Sequence, residues 1–116
     1  MKSAISQDIY LEIENYKRDI FEIIDQVKNY ILNEDCPFLI VDITKLNLID
    51  TTKVCIVCST YHFTKYNDGN ITWQVSNIEA QRLIYSLKLR NIRTEIKLKN
   101  NRTIEYFDKK YRASVR

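Results

Sequence analysis

A single α/β domain, with a mixed, mainly parallel sheet of about four to five strands and three to four helices, is specified by three features of this chain. Apolar runs of strand length alternate with stretches of helical periodicity, in the order strand, helix, strand, helix, strand, helix, strand. The joints between them are short, as helices crossing over between neighbouring parallel strands require. And 116 residues, 45% hydrophobic and 28% charged, are the size and composition of one ordinary core. The domain takes in residues 1–116, with its core at about 9–98 and a basic C-terminal segment at 99–116.

Residues 9–13 alternate apolar and polar, as an opening strand with one wet face does. Over 16–32 the residues Ile20, Ile23, Ile24, Val27, Tyr30 and Ile31 recur at three and four, which predicts an amphipathic helix. Residues 38–42 form a second strand, its apolar run bounded by Pro37 and Asp42 and suited to cover on both faces. Asp50 offers an N-cap to a helix at about 51–65, with Val54, Val57, Cys58 and Tyr61 on its inner stripe. The cluster 67–70 is a turn, and 71–75 a third strand. Ser76 and Glu79 fit a capping box that opens a third helix, with Ala80, Leu83, Ile84 and Leu87 inward. Residues 94–98 form a fourth strand, and the tail from Thr103 fits either a strand through Tyr106 or a short helix.

Composition also excludes function classes. One glycine and one proline leave no material for a glycine-rich phosphate loop or a flexible linker. The longest apolar run, 36–41, is far short of a membrane span, and the start Met1-Lys2-Ser3-Ala4 has no signal-peptide core, so a cytoplasmic protein without membrane insertion is expected. Cys36, Cys55 and Cys58 are an odd count and read as reduced thiols. The C-x-x-C spacing of Cys55 and Cys58 lies a turn inside a predicted helix among apolar residues, which favours core packing over redox chemistry. His62 is the only histidine, so a zinc set would need Cys36 from elsewhere in the fold; no metal and no cofactor are expected.

The corner between the second strand and second helix is where chemistry concentrates. Sites in parallel sheets cluster at the carboxyl ends of strands, and Asp50 to Lys53 follows one of them. Thr51 and Thr52 fall in the first helical turn, beside unpaired backbone N–H groups, where a hydroxyl is expected to be exposed. Residues 40–54 (IVDITKLNLIDTTKV), followed by 69–78 (GNITWQVSNI), 83–89 (LIYSLKL) and 94–97 (TEIK), resemble a STAS domain, the family of sulfate transporters and anti-sigma-factor antagonists. The likeness covers roughly 9–98. It rests on an apolar strand ending in Asp, a spacer, then an Asp-Ser/Thr-Ser/Thr-Gly signature opening an apolar helix.

That resemblance implies a non-enzymatic regulatory module that binds an anti-sigma factor or a serine/threonine protein kinase-like partner. It makes Thr51 the candidate phosphoacceptor and Asp50, Thr51, Thr52, Lys53 and Val54 the candidate partner-binding residues. The family equally contains subunits of lipid-transport ABC ATPases and scaffold or sensor modules of stress complexes, and these alternatives stand. Lys53 occupies the place of the usual glycine, whose missing Cβ allows close approach. A phosphate on Thr51 would sit at the positive end of a helix and repel an acidic partner, with Lys53 as its counter-charge. The structural alternative is that Asp50 and Thr52 only cap the helix.

Two further features point less far. Residues 88–116 carry ten Lys or Arg against three Asp or Glu, whereas 1–87 carry eight against twelve. With no nucleic-acid-binding module around it, this basic end reads as a solvated surface or a face for an acidic protein rather than a nucleic-acid site. Asp42, Asp50 and His62 have no nucleophile or paired acid beside them in sequence, so no catalytic residue is assigned.

Overall fold

The computed structural model of the chain describes residues 8–14 and 18–97, together with the backbone of Thr103 and Ile104. Along it run β1 (Ile9–Glu12), α1 (Ile20–Asn33), β2 (Phe38–Asp42), α2 (Leu48–Lys65), β3 (Asn70–Val75), α3 (Ile78–Ser86), β4 (Ile92–Lys97) and β5 (Thr103–Ile104). β1 to β4 pair in parallel and in chain order, and β5 returns antiparallel on β4. The class is therefore α/β, with a mainly parallel sheet. The open choice at the tail resolves to a strand at Thr103–Ile104; residues 105–116 lie outside the described ones.

Strands laid down in chain order, joined by crossovers of the usual right hand, send every helix to the same side of the sheet. The contacts agree. Trp73 Nε1 on β3 donates to Ser59 Oγ on α2 at 2.8 Å, and Gln81 Nε2 on α3 donates to Thr94 Oγ1 on β4 at 2.9 Å. Trp73 and Thr94 are register partners, so α2 and α3 cover one face. α1 packs beside α2, where the Cys58 thiol meets the Ile24 carbonyl oxygen at 3.8 Å. β2 is covered on both faces, as its apolar run predicts, although α1, α2 and α3 all lie on one side. Leu39 and Val41 are fully buried under the helices, and on the other face Asp42 is buried while Phe38 and Ile40 are half-buried.

Element ends follow local chemistry. Asp19 starts α1 by accepting from Phe21 N at 3.1 Å, later than the helix expected from 16. At its far end, Lys65 of α2 donates to the carbonyls of Leu32 (3.0 Å) and Glu34 (3.2 Å), pairing oxygens that the last turn of a helix leaves open. α3 is capped by Asn77, whose Oδ1 accepts from Ala80 N at 2.9 Å, one residue after the expected Ser76. Its buried face is Ala80, Gln81 and Ile84, with Leu87 packed partly beside them and Leu83 half-buried. The single glycine is needed for proximity: a Cβ on Gly69 would overlap the Pro37 carbonyl oxygen, to which Asn70 N donates at 2.8 Å where β2 and β3 begin.

Candidate functional site

The β2–α2 corner is built by Asn47. Its side chain accepts from Asp50 N at 2.8 Å and its carbonyl from Thr51 N at 2.8 Å, so α2 begins at Leu48, three residues before the predicted start. Asp50 is accordingly not the cap. It is the third helical residue, in the acidic first turn that the helix dipole favours. Which side each residue faces is set by helical spacing rather than by the starting residue. Thr51, Val54, Cys55 and Cys58 fall at i, i+3, i+4 and i+7 on the core side.

The candidate partner-binding residues are therefore divided. Asp50 and Thr52 are half-exposed and Lys53 is exposed, but Val54 is fully buried and Thr51 is only 2% exposed. The expectation of an accessible Thr51 hydroxyl is not met, because the residue lies past the first turn and faces inward. Thr52 Oγ1 donates back to Leu48 O at 2.9 Å, a local bond within the helix. On the outer side, Leu48, Ile49, Ile56 and Val57 are exposed, Ile49 by 68% and Val57 by 39%. Val57 thus leaves the inner stripe to which the sequence assigned it, and Tyr61 stays partly packed on the core.

Further along α2, Ser59 and His62 are both buried. Ser59 receives the Trp73 indole N–H. His62 Nε2 lies 2.9 Å from the Cys36 carbonyl oxygen, which can only accept, so Nε2 carries the proton. Burial holds the imidazole pKa below its ordinary value, although that hydrogen bond works the other way. Cys36, Cys55 and Cys58 are buried free thiols. Burial pushes Cys55 well up and Cys58 up to about 12, so both are protonated core side chains near neutral pH. Among the described residues no three His, Cys, Asp or Glu side chains gather as a metal site.

A second polar constellation occupies the face of the sheet away from the helices. Asp42, at the carboxyl end of β2, accepts from Lys97 Nζ at 2.7 Å, Tyr10 OH at 3.1 Å, Thr44 N at 2.9 Å and Thr44 Oγ1 at 2.7 Å. Lys97 also donates to Tyr10 OH at 2.8 Å, tying β4 to β1 across the two strands between them. Burial alone would raise the Asp42 carboxyl; the hydrogen bonds from Lys97 and Thr44 outweigh it and hold the group below its usual value. The same bonds to Asp42 and Tyr10 raise the Lys97 ammonium. Beside them Gln74 Nε2 donates to Glu95 Oε1 at 3.0 Å.

No family model, curated protein or solved structure matches this chain.

Geometry within the molecule is then the guide to function. It keeps the corner as a surface feature while turning Thr51 inward, and it adds the Tyr10, Asp42 and Lys97 group that sequence reasoning missed. The signal for that group was faint. Asp42 is visible as the polar end of an apolar strand, but Lys97 is 55 residues away from it and Tyr10 is 32. Only register brings them together.

Proposed function

We propose that this chain is a cytoplasmic, non-enzymatic protein-interaction module that receives its partner on the first turns and outer face of α2. The supporting observation is the apolar stripe of Leu48, Ile49, Ile56 and Val57, which stays exposed on a helix whose opposite side is fully used by the core. Lys53 lies among these residues and supplies a charge for orientation. Together with the STAS resemblance of residues 40–54, this surface suits an anti-sigma factor or a serine/threonine kinase-like protein.

The switch implied at Thr51 needs an opening step. A kinase must bring the hydroxyl to its own active site, and at 2% exposure this requires the start of α2 to unwind. That burial favours a second reading, in which Thr51 is structural and the same helix docks on a lipid-transport ABC ATPase. Pull-down from the native host with mass spectrometry of phosphosites and copurifying chains separates the two. Phosphate on Thr51 with a soluble kinase-like ATPase supports the first; unmodified Thr51 with a membrane transporter ATPase supports the second. Retention of the same partner by Ile49→Asp and Ile56→Asp, with the fold intact, would defeat the α2 surface in both.

A further inference from the structure

β1 is an outer strand. It pairs with β2 on one side, and among the described residues no strand pairs with its other side. The direction of its backbone groups is set by Ile13 N, which donates to Asp42 O at 3.1 Å. Alternate residues of a strand point their N–H and C=O groups to opposite sides, so those of Ile9 and Leu11 join the β2 ladder while those of Tyr10 and Glu12 point outward. Such a row is a template for a further strand, and natural edges are commonly blunted by Lys, Pro or a bulge. β1 carries neither Lys nor Pro and pairs with β2 without a bulge. The Tyr10 hydroxyl, bonded to Lys97 and Asp42, ties this strand firmly to the sheet.

We propose that the outer edge of β1 takes up an extended basic peptide as an added strand, its residues alternating Lys or Arg with branched apolar side chains. Charge selects the class. Asp8, Glu12 and Glu14 are exposed along residues 8–14 with no basic residue among them, and Lys97, which reaches Tyr10, is spent on Asp42 and Tyr10. Ile9 and Leu11 lie half-buried against the core on the helix side, so residues of the incoming strand beside them extend that core, whereas those beside Tyr10 and Glu12 meet the acids. A second copy is the wrong occupant. Antiparallel pairing of two β1 strands about Tyr10 sets Glu12 against Asp8, about Leu11 sets Asp8 against Glu14, and about Glu12 sets the two Glu12 carboxylates together. This edge is separate from the outer face of α2 and does not depend on the partner proposed there.

The test is an NMR titration of the full isotope-labelled chain with a capped Lys-Val-Lys-Val-Lys-Val peptide. Saturable shifts at the Tyr10 and Glu12 amides are expected, with hydrogen exchange there slowed at least about fivefold. Glu12→Lys, an exposed change whose backbone groups point away from β2, should weaken the peptide at least about tenfold while the signals of the core stay in place. A Glu-Val peptide of the same length, and a Lys-Val peptide N-methylated on every residue to keep the charge without the donors, should bind far less. Equal binding of either comparison peptide, an unchanged affinity in Glu12→Lys, or shifts elsewhere without slowed exchange at Tyr10 and Glu12 would each overturn the proposal. Shifts at these two amides that grow with the concentration of the chain alone would overturn it too, by making the occupant a second copy.

Discussion

Asp42 shows how one residue joins three strands. Its carboxylate, 3% exposed, is stable as an anion only because Lys97, Tyr10 and Thr44 surround it with donors. Removing the cation alone leaves a buried charge unpaired, which costs more than the pair itself is worth. Lys97→Met is therefore expected to lose about 2–4 kcal/mol, while Asp42→Asn combined with Lys97→Met recovers much of that loss. Urea unfolding of both single variants and the double variant measures the coupling; additive effects would mean that the pair does not act as a unit. Thr51 belongs to the same scale. Thr51→Asp places a carboxylate in the core rather than on a docking surface, and it should lower the unfolding midpoint strongly instead of mimicking a phosphate on a native fold.

Among the elements, α2 carries the main lesson. A helix start is legible when its cap is unambiguous, and here two polar residues competed. Asn47 and Asp50 stand three apart, and both are good caps. The structure uses Asn47, since starting there lets its side chain reach Asp50 N and gains a turn that carries the apolar residues Leu48 and Ile49. Residue spacing, not the starting residue, sets the stripe, and Val54 and Cys58 lie in the core as expected. Val57, at the edge of the stripe, fell outside it. Asn47→Ala should cost about 1 kcal/mol in thermal or urea unfolding. The two valines provide the sharper comparison: Val54→Asp is expected to abolish folding, whereas Val57→Asp leaves the circular dichroism spectrum and midpoint near wild type while weakening any partner held on α2. Loss of fold in both would return Val57 to the core.

At the scale of the whole molecule, strand and helix order was legible because the apolar runs are short and evenly separated, while the layer arrangement was not. Helices on both faces and helices on one face give much the same apolar string at 38–41, and only strand order distinguishes them. The helix layer also determines how stability responds to pH, through the one histidine. His62 sits neutral on the buried side of α2 with its pKa lowered by burial, so the unfolded chain binds a proton more readily than the folded one. Stability from this group is complete above the unfolded value of 6.5 and is lost as pH falls through that value towards the lowered folded one. Asp42 acts in a separate window: its contribution holds above 3.8 and disappears as pH falls from there through its own depressed value. Between about pH 7 and pH 5 the urea midpoint should therefore decline with His62 as the only side chain of its type in the chain. In His62→Gln, whose amide N–H can still reach the Cys36 carbonyl, the midpoint should be flat over that interval. A decline of equal size in the variant would assign the effect to other groups and imply that His62 is no harder to protonate in the folded protein than in the unfolded chain.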